Sequence, residues 1–260
     1  MSVYPTHLYK YQRLTAHSLA SVLNKSVWMA SPTSFNDPFD CAIPFPRANI
    51  KESMENMLKS AAASKGIDLR DIRNHDKIEG NEERAYEILK RTLQTTLSKA
   101  GVLCLSATSL EILMWSHYAD NHKGFCIEYD FSEDSGLRKS ARPVQYQNEM
   151  PDLSVTGTDE EHRTEYIQKC VFTKAKQWKY EQEWRVLHPE GNRAVNASGE
   201  ITSIIFGARM SITDKQMLAL ATKHLTNIQL RQAVLCEDRF AVDLVPVTRV
   251  ERTIQDSERA

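Results

Sequence analysis

The sequence lacks the markers of several large protein classes. No apolar run approaches the roughly 20 residues needed to cross a bilayer, and Met1 to Leu14 lacks the charged-then-apolar pattern of a secretion signal. A cytoplasmic protein with no membrane partner is expected. No C-x-x-C pair occurs among Cys41, Cys104, Cys126, Cys170 and Cys236, which are odd in number and widely spaced. Neither a zinc site nor a disulfide framework follows, and reduced buried thiols are expected. An excess of basic charge is also absent. Thirty-three basic residues against 34 acidic ones give a formal net charge of −1, whereas a dedicated nucleic-acid binder shows a basic excess. No glycine fingerprint follows a strand, which argues against Rossmann and P-loop folds. G-x-S-x-G is missing, so neither Ser106 nor Ser109 reads as a hydrolase nucleophile. H-E-x-x-H is missing too, and His117 and His122 stand five apart, the wrong spacing for a helical metal pair. No metal is expected.

What is present reads as one α+β domain. Hydrophobic residues make up 41% and charged residues 26% of the 260, the balance of a globular chain. Strands are expected at 7–13, 27–30, 101–106, 125–131, 143–146, 182–187, 201–206, 228–236 and 240–247. Helices are expected at 15–23, from 108, through 172 and at 211–225. Capping boxes are read at Thr108/Glu111, Thr158/Glu161 and Ser211/Asp214. Met54, Met57 and Leu58, then Ala85, Ile88, Leu89 and Leu93, recur at helical spacing, which predicts a helical insertion over about 49–100. The domain is expected to span 1–250, with a polar tail at 251–260. Strands and helices do not alternate regularly. The fold class expected is therefore α+β, a mixed and mainly antiparallel sheet flanked by helices.

Four segments carry residues suited to a site. In Leu8-Tyr9-Lys10-Tyr11, alternation puts Tyr9 and Tyr11 on one strand face and Lys10 on the other. In Phe35-Asn36-Asp37-Pro38-Phe39-Asp40, two phenylalanines anchor a turn while Asn36, Asp37 and Asp40 supply polar groups. An Asx-turn scaffold explains the same pattern. In Trp115-Ser116-His117-Tyr118, Trp115 and Tyr118 share a helix face and could stack on a flat ring; an aromatic core helix is the alternative. In Glu181-Gln182-Glu183-Trp184-Arg185, an extended chain points Glu181, Glu183 and Arg185 one way. Two carboxylates on one face need a cation, and Arg185, Lys176 or a bound cation would answer them.

These segments, together with Ser31-Pro32, Cys104-Leu105-Ser106 and His122-Lys123-Gly124, resemble the bacterial domain-of-unknown-function family 2971 over about residues 8–240. That family name implies no activity. The order of a polar aromatic strand, a Ser-ended strand and a late Glu-x-Glu strand is also similar to the ADP-ribosyltransferase fold with its split sheet. This second resemblance implies nicotinamide adenine dinucleotide (NAD) as a substrate and a protein or nucleic-acid acceptor, with bacterial defence or a toxin system as the setting. It makes Glu183 the catalytic carboxylate and Glu181 its companion. Tyr9, Tyr11, Ser106, Asn36, Asp37, Trp115, His117, Tyr118 and Arg185 become the residues around the nucleotide. The middle element departs from the usual Ser-Thr-Ser and reads Ser106-Ala107-Thr108. A non-catalytic nucleotide- or protein-binding module and a metal-dependent nuclease using Asp37, Asp40, Glu181 and Glu183 are the competing readings.

Overall fold

A computed structural model describes residues 4–44, 82–151, 160–225 and 227–248. The expected helix around Met54 to Leu58, the cap at Thr158 and the tail at 251–260 lie outside these residues. An eight-stranded sheet dominates, in the order β12-β11-β10-β4-β1-β3-β8-β5. Its strands are β1 (His7–Gln12), β3 (Gly101–Ser106), β4 (Phe125–Asp130), β5 (Arg142–Pro143), β8 (Glu183–His188), β10 (Ile201–Phe206), β11 (Gln229–Leu235) and β12 (Val242–Pro246). Within this sheet, among the described residues, only β10 and β11 run parallel. The helix α6 (Ile212–Ala221) connects them, as a parallel pair requires. The fold is thus α+β with a mixed, mainly antiparallel sheet. Two small ribbons flank it, β2 (Ser26–Met29) with β9 (Arg193–Asn196), and β6 (Gln145–Gln147) with β7 (Thr173–Ala175). The stretch expected as one strand at 143–146 is split between β5 and β6, because Val144 still bonds the Glu183 carbonyl beside β8 while Gln145 turns its N–H to the Phe172 carbonyl and β6 pairs with β7.

The two-residue period of the strands separates a dry face from a polar one. Leu8, Leu103, Leu105, Phe125, Ile127, Tyr129, Trp184, Val186, Ile204 and Phe206 pack into the main core, with Val22 of α1 (Ala16–Leu23) and Leu218 of α6. Their neighbours Tyr9, Tyr11, Cys126 and Ile205 turn to the other face. There they meet Met114, Trp115 and Ala119 of the α3 region (helix Ile112–Tyr118). A third cluster joins Leu97 of α2 (Glu82–Lys99) and Ile167 and Val171 of α5 (Glu160–Val171) to Cys41 and Val102. The short α4 (Gly136–Ser140) leads into β5. No helix of the described residues is long and apolar enough to cross a membrane.

Capping corrects one expectation. Thr108 is not the cap of α3; its hydroxyl accepts the Leu110 N–H, and Glu111 caps the helix by accepting from Leu113 N. At Ser211 only the cap half of the expected box forms: its hydroxyl accepts the Asp214 N–H at 3.1 Å, and the Asp214 carboxylate accepts from that hydroxyl at 2.8 Å. A further box closes α1 between Thr15 and Ser18, where no acidic or amide side chain announced it. Helix α3 stops at Tyr118, and Asp120, Asn121 and His122 are left-handed, with φ of 48°, 53° and 68°. A Cβ at Gly124 would lie 2.1 Å from the Gln12 carbonyl oxygen, so only glycine lets this exit pass against the end of β1.

Candidate functional site

A cleft of about 360 Å³ opens between β1 and β3. Strand β1 pairs with β4 over six residues, but its only registered partner on β3 is Tyr9 with Ser106. Beyond that pair the two strands separate. The Cys104 carbonyl, which a continuous ladder would offer to a strand N–H, instead accepts the Lys10 ammonium at 2.9 Å. Tyr9, Tyr11, Asn36, Ser106, His117, Tyr118, Glu181 and Glu183 all line this cleft. Lys10, Arg13, Asp40 and Lys174 line it as well.

The polar end of the cleft is a buried ionic network. Arg185, fully buried, uses all five of its N–H donors. It grips Glu183 through Nε and Nη2, both at 2.8 Å, and Asp40 through Nη1 at 2.8 Å and Nη2 at 2.7 Å. Its remaining donor goes to the Val171 carbonyl at 2.7 Å. Lys174 Nζ lies 2.5 Å from Glu181 Oε2, 3.0 Å from Glu183 Oε2 and 3.2 Å from Asp40 Oδ2. Three carboxylates therefore face two cations. Lys174, not Lys176, answers the acids; Lys176 is exposed. Glu181 and Glu183 do meet, but not along an extended strand. Glu181 ends a 3₁₀ turn (Lys176–Glu181), and Gln182 is left-handed at φ 45°, which swings both carboxylates to Lys174. Strained backbone of this kind at a non-glycine residue requires surrounding contacts to hold it. The Gln182 carbonyl accepts from Ala107 N, and Ser106 Oγ donates to the Glu181 carbonyl at 2.7 Å.

Proton affinities at this end diverge. Burial raises the Glu183 carboxyl, but Arg185 and Lys174 outweigh it and bring the pKa down to about 2. Burial also raises Glu181, the nearby Glu183 charge adds to the rise, and Lys174 only partly opposes it. Glu181 Oε1 accepts the Tyr118 hydroxyl at 2.7 Å. Burial and the Glu181 charge push the Tyr118 hydroxyl upward. Burial works against the Lys174 ammonium, but Glu183, Asp40 and Glu181 together raise its pKa. Tyr9 is pushed up to about 12, by burial first and then by the charge of Glu128.

Several expected site residues do other work. Trp115 is completely buried, donates its indole N–H to the Ser109 carbonyl at 2.8 Å and packs edge-on against Tyr11. It is core and presents no ring to a ligand. Arg185 is locked inside the network and does not line the cleft. Asp37 faces away from it: its Oδ2 accepts the Trp178 indole at 2.6 Å and its Oδ1 accepts Phe39 N, an Asx-turn that holds the loop. Ser106 lines the cleft, but its one hydroxyl proton is committed to Glu181. Tyr11 gives its hydroxyl to the Thr108 carbonyl. His122 is off the helix; its ring stacks on Trp115 and its Nε2 meets Ser116 Oγ at 3.2 Å. The acids considered for a nuclease do not converge on open space, since Asp40, Glu181 and Glu183 surround the Lys174 ammonium.

Sequence reasoning missed Lys174, Lys10 and Tyr146. Tyr146 Oη accepts the Glu183 N–H at 2.8 Å. Lys174 carried one signal, as the charged residue in a short run between Phe172 and Ala175.

Residues 114–186 match the model of a family described as protein of unknown function (DUF2971). Over that stretch the chain is similar to this family. The DUF2971 segment begins at the aromatic helix and ends inside β8. It thus contains His117, Tyr118, Lys174, Glu181, Glu183 and Arg185, while Tyr9, Asp40 and Ser106 lie before it. No curated protein and no solved structure matches the chain.

Proposed function

We propose that the protein is an ADP-ribosyltransferase-like enzyme that uses NAD as donor in the cleft between β1 and β3. The observation that carries this reading is the carboxylate pair. Two acids at one cleft end, with proton affinities driven apart, are the usual arrangement for dividing acid–base roles. The parting of β1 and β3, with tyrosines on one wall and Ser106 on the other, supports it.

Glu181, not Glu183, is the working carboxylate. Glu183 gives both oxygens to Arg185 and Lys174, whereas Glu181 accepts one bond on each oxygen, from Tyr118 and from Lys174. An ionised Glu181 would hold ribose hydroxyls and oppose the positive charge that develops on the sugar. The bond between ribose C1′ and the pyridinium nitrogen breaks, and its electron pair neutralises the ring as nicotinamide leaves. A lone pair of the acceptor, or of water, forms the new bond to C1′. The proton the acceptor loses passes to Glu181, whose raised pKa suits a general base. Tyr118 and His117 line the same end and supply ring surface. Nicotinamide release from NAD by the purified protein, followed chromatographically, tests the reading. The Glu181→Gln variant is expected to lose at least about 100-fold. Turnover unchanged in that variant would refute the mechanism.

One observation favours a second reading, a non-catalytic module that binds a nucleotide. Arg185, Glu183 and Asp40 satisfy one another completely, as a structural network does. Calorimetric binding of NAD with no nicotinamide released would select it.

A further inference from the structure

We propose that the 3₁₀ turn Lys176–Glu181, with His117 beside it, is a docking ridge for single-stranded nucleic acid. On the transferase reading this strand is the acceptor, and only that word depends on it.

A 3₁₀ turn has three residues per turn, so residues three apart share a face. Trp178 and Glu181 form the inward pair, tied to Asp37 and to Lys174. Lys176 and Lys179 form the outward pair. Both are exposed, and among the described residues no carboxylate pairs with either. Tyr180 lies between these faces, its hydroxyl 3.2 Å from His117 Nδ1. The rings of Trp178, Tyr180 and His117 form a cluster with centroids 6.0 to 6.4 Å apart. Their planes cross at 43° to 71°, so the rings meet tilted or edge-on, and with Lys174 Nζ lying 5.2 Å over the Trp178 ring, half-buried Tyr180 and exposed His117 are the rings offered to solvent.

Partly exposed rings, Tyr180 and His117, beside the exposed Lys176 and Lys179 suit a strand whose bases stack while its phosphates meet lysines. A duplex hides its base faces and cannot use such a ridge. The acids whose charges reach Tyr180 are Glu181, which is buried and turned inward, and Glu111, which caps α3. The turn ends on Glu181 itself, so a strand held on the ridge lies next to the cleft.

Fluorescence anisotropy with labelled oligonucleotides about 12 nucleotides long tests this without any turnover. Single-stranded DNA or RNA should bind at least about tenfold more tightly than the duplex of the same sequence. Binding should weaken steeply from about 50 to 200 mM salt. Reversing Lys176 and Lys179 together to Glu should weaken it at least about tenfold and flatten the log–log salt slope by about 1. Tyr180→Ala should lose a similar factor and Tyr180→Phe should not, with unchanged thermal melting as the control for folding. Equal binding of duplex, equal binding of an acidic peptide, or full binding by the double-lysine variant would overturn the proposal. Nicotinamide release should persist in the double-lysine variant, so failure of the ridge and failure of the donor reading are separable.

Discussion

Glu181 and Glu183 reach the same Lys174 ammonium, at 2.5 and 3.0 Å, yet their proton affinities move in opposite directions. The difference lies in Arg185. It chelates Glu183 with two N–H groups and offers none to Glu181, which is left with one cation and one phenol. Replacing each acid by its amide should therefore do different things.

Glu181→Gln leaves two acids, Asp40 and Glu183, against Lys174 and Arg185, a balanced network. Its amide can accept from Lys174 and donate to the Tyr118 oxygen. Thermal stability is expected to be maintained or slightly raised, while nicotinamide release falls at least about 100-fold. Glu183→Gln removes one of the two carboxylates that Arg185 grips through paired N–H groups and should destabilise by about 3–5 kcal/mol, the usual result of breaking a buried pair from one side. Chemical denaturation of the two variants checks this. Equal destabilisation would mean the two carboxylates are equivalent.

Acid should reveal the opposite signs. The Glu183 pKa lies below its ordinary value of 4.5, at about 2, so its contribution is complete above about pH 4.5 and is lost as pH falls toward 2. That drop corresponds to roughly 3 kcal/mol. The Glu181 pKa is raised, so its contribution is complete below the ordinary carboxyl value and is lost as pH rises through the raised value. Wild type should thus gain stability relative to Glu181→Gln as pH is lowered through that value. Turnover should fall over the same window, because the ionised carboxylate carries it. Urea unfolding and nicotinamide release, both measured across pH, check the two signs. A stability difference independent of pH would contradict the assignment.

Arg185→Lys tests the fork itself. A lysine keeps the charge but has three donors on one nitrogen and cannot chelate Asp40 and Glu183 together. A loss of about 3 kcal/mol or more is expected, with the Asp40 loop released from β8. Hydrogen exchange at Asp40 and Cys41 should quicken well beyond the global change. Stability within about 0.5 kcal/mol of wild type would show that charge alone suffices.

Much of the fold was legible because strands announce themselves by period. Phe125 to Phe131 and Ile201 to Phe206 are strands buried along most of their length, and their edges follow. The site was harder, because its contacts are not local. Asp40 and Arg185 are 145 residues apart, and Lys10 reaches a carbonyl 94 residues away. Alternation grouped Glu181 with Glu183 by assuming an extended chain, whereas what brings them together is a left-handed Gln182 after a 3₁₀ turn, which no side-chain pattern encodes. Helical spacing paired Trp115 with Tyr118, but it could not tell that burial would claim one and leave the other at the cleft. Lys174 was missed because a lysine in a three-residue strand looks like surface until its three carboxylates are placed around it.

Trp115 and Trp178 should separate core from wall. Trp115→Phe removes a buried indole donor and leaves the Ser109 carbonyl without its partner. A cost of about 1–3 kcal/mol is expected, with little change in ligand affinity for the folded fraction. Trp178→Phe removes the N–H that holds Asp37 and frees the Phe35-to-Asp40 loop on the cleft's far wall. The same order of stability loss is expected there, but with weaker NAD binding, because Asn36 and Asp40 line the cleft from that loop. Calorimetric titration of NAD into both variants, at a temperature where each is fully folded, decides the matter. Weaker binding by Trp115→Phe than by Trp178→Phe would return Trp115 to the ligand and undo its assignment to the core.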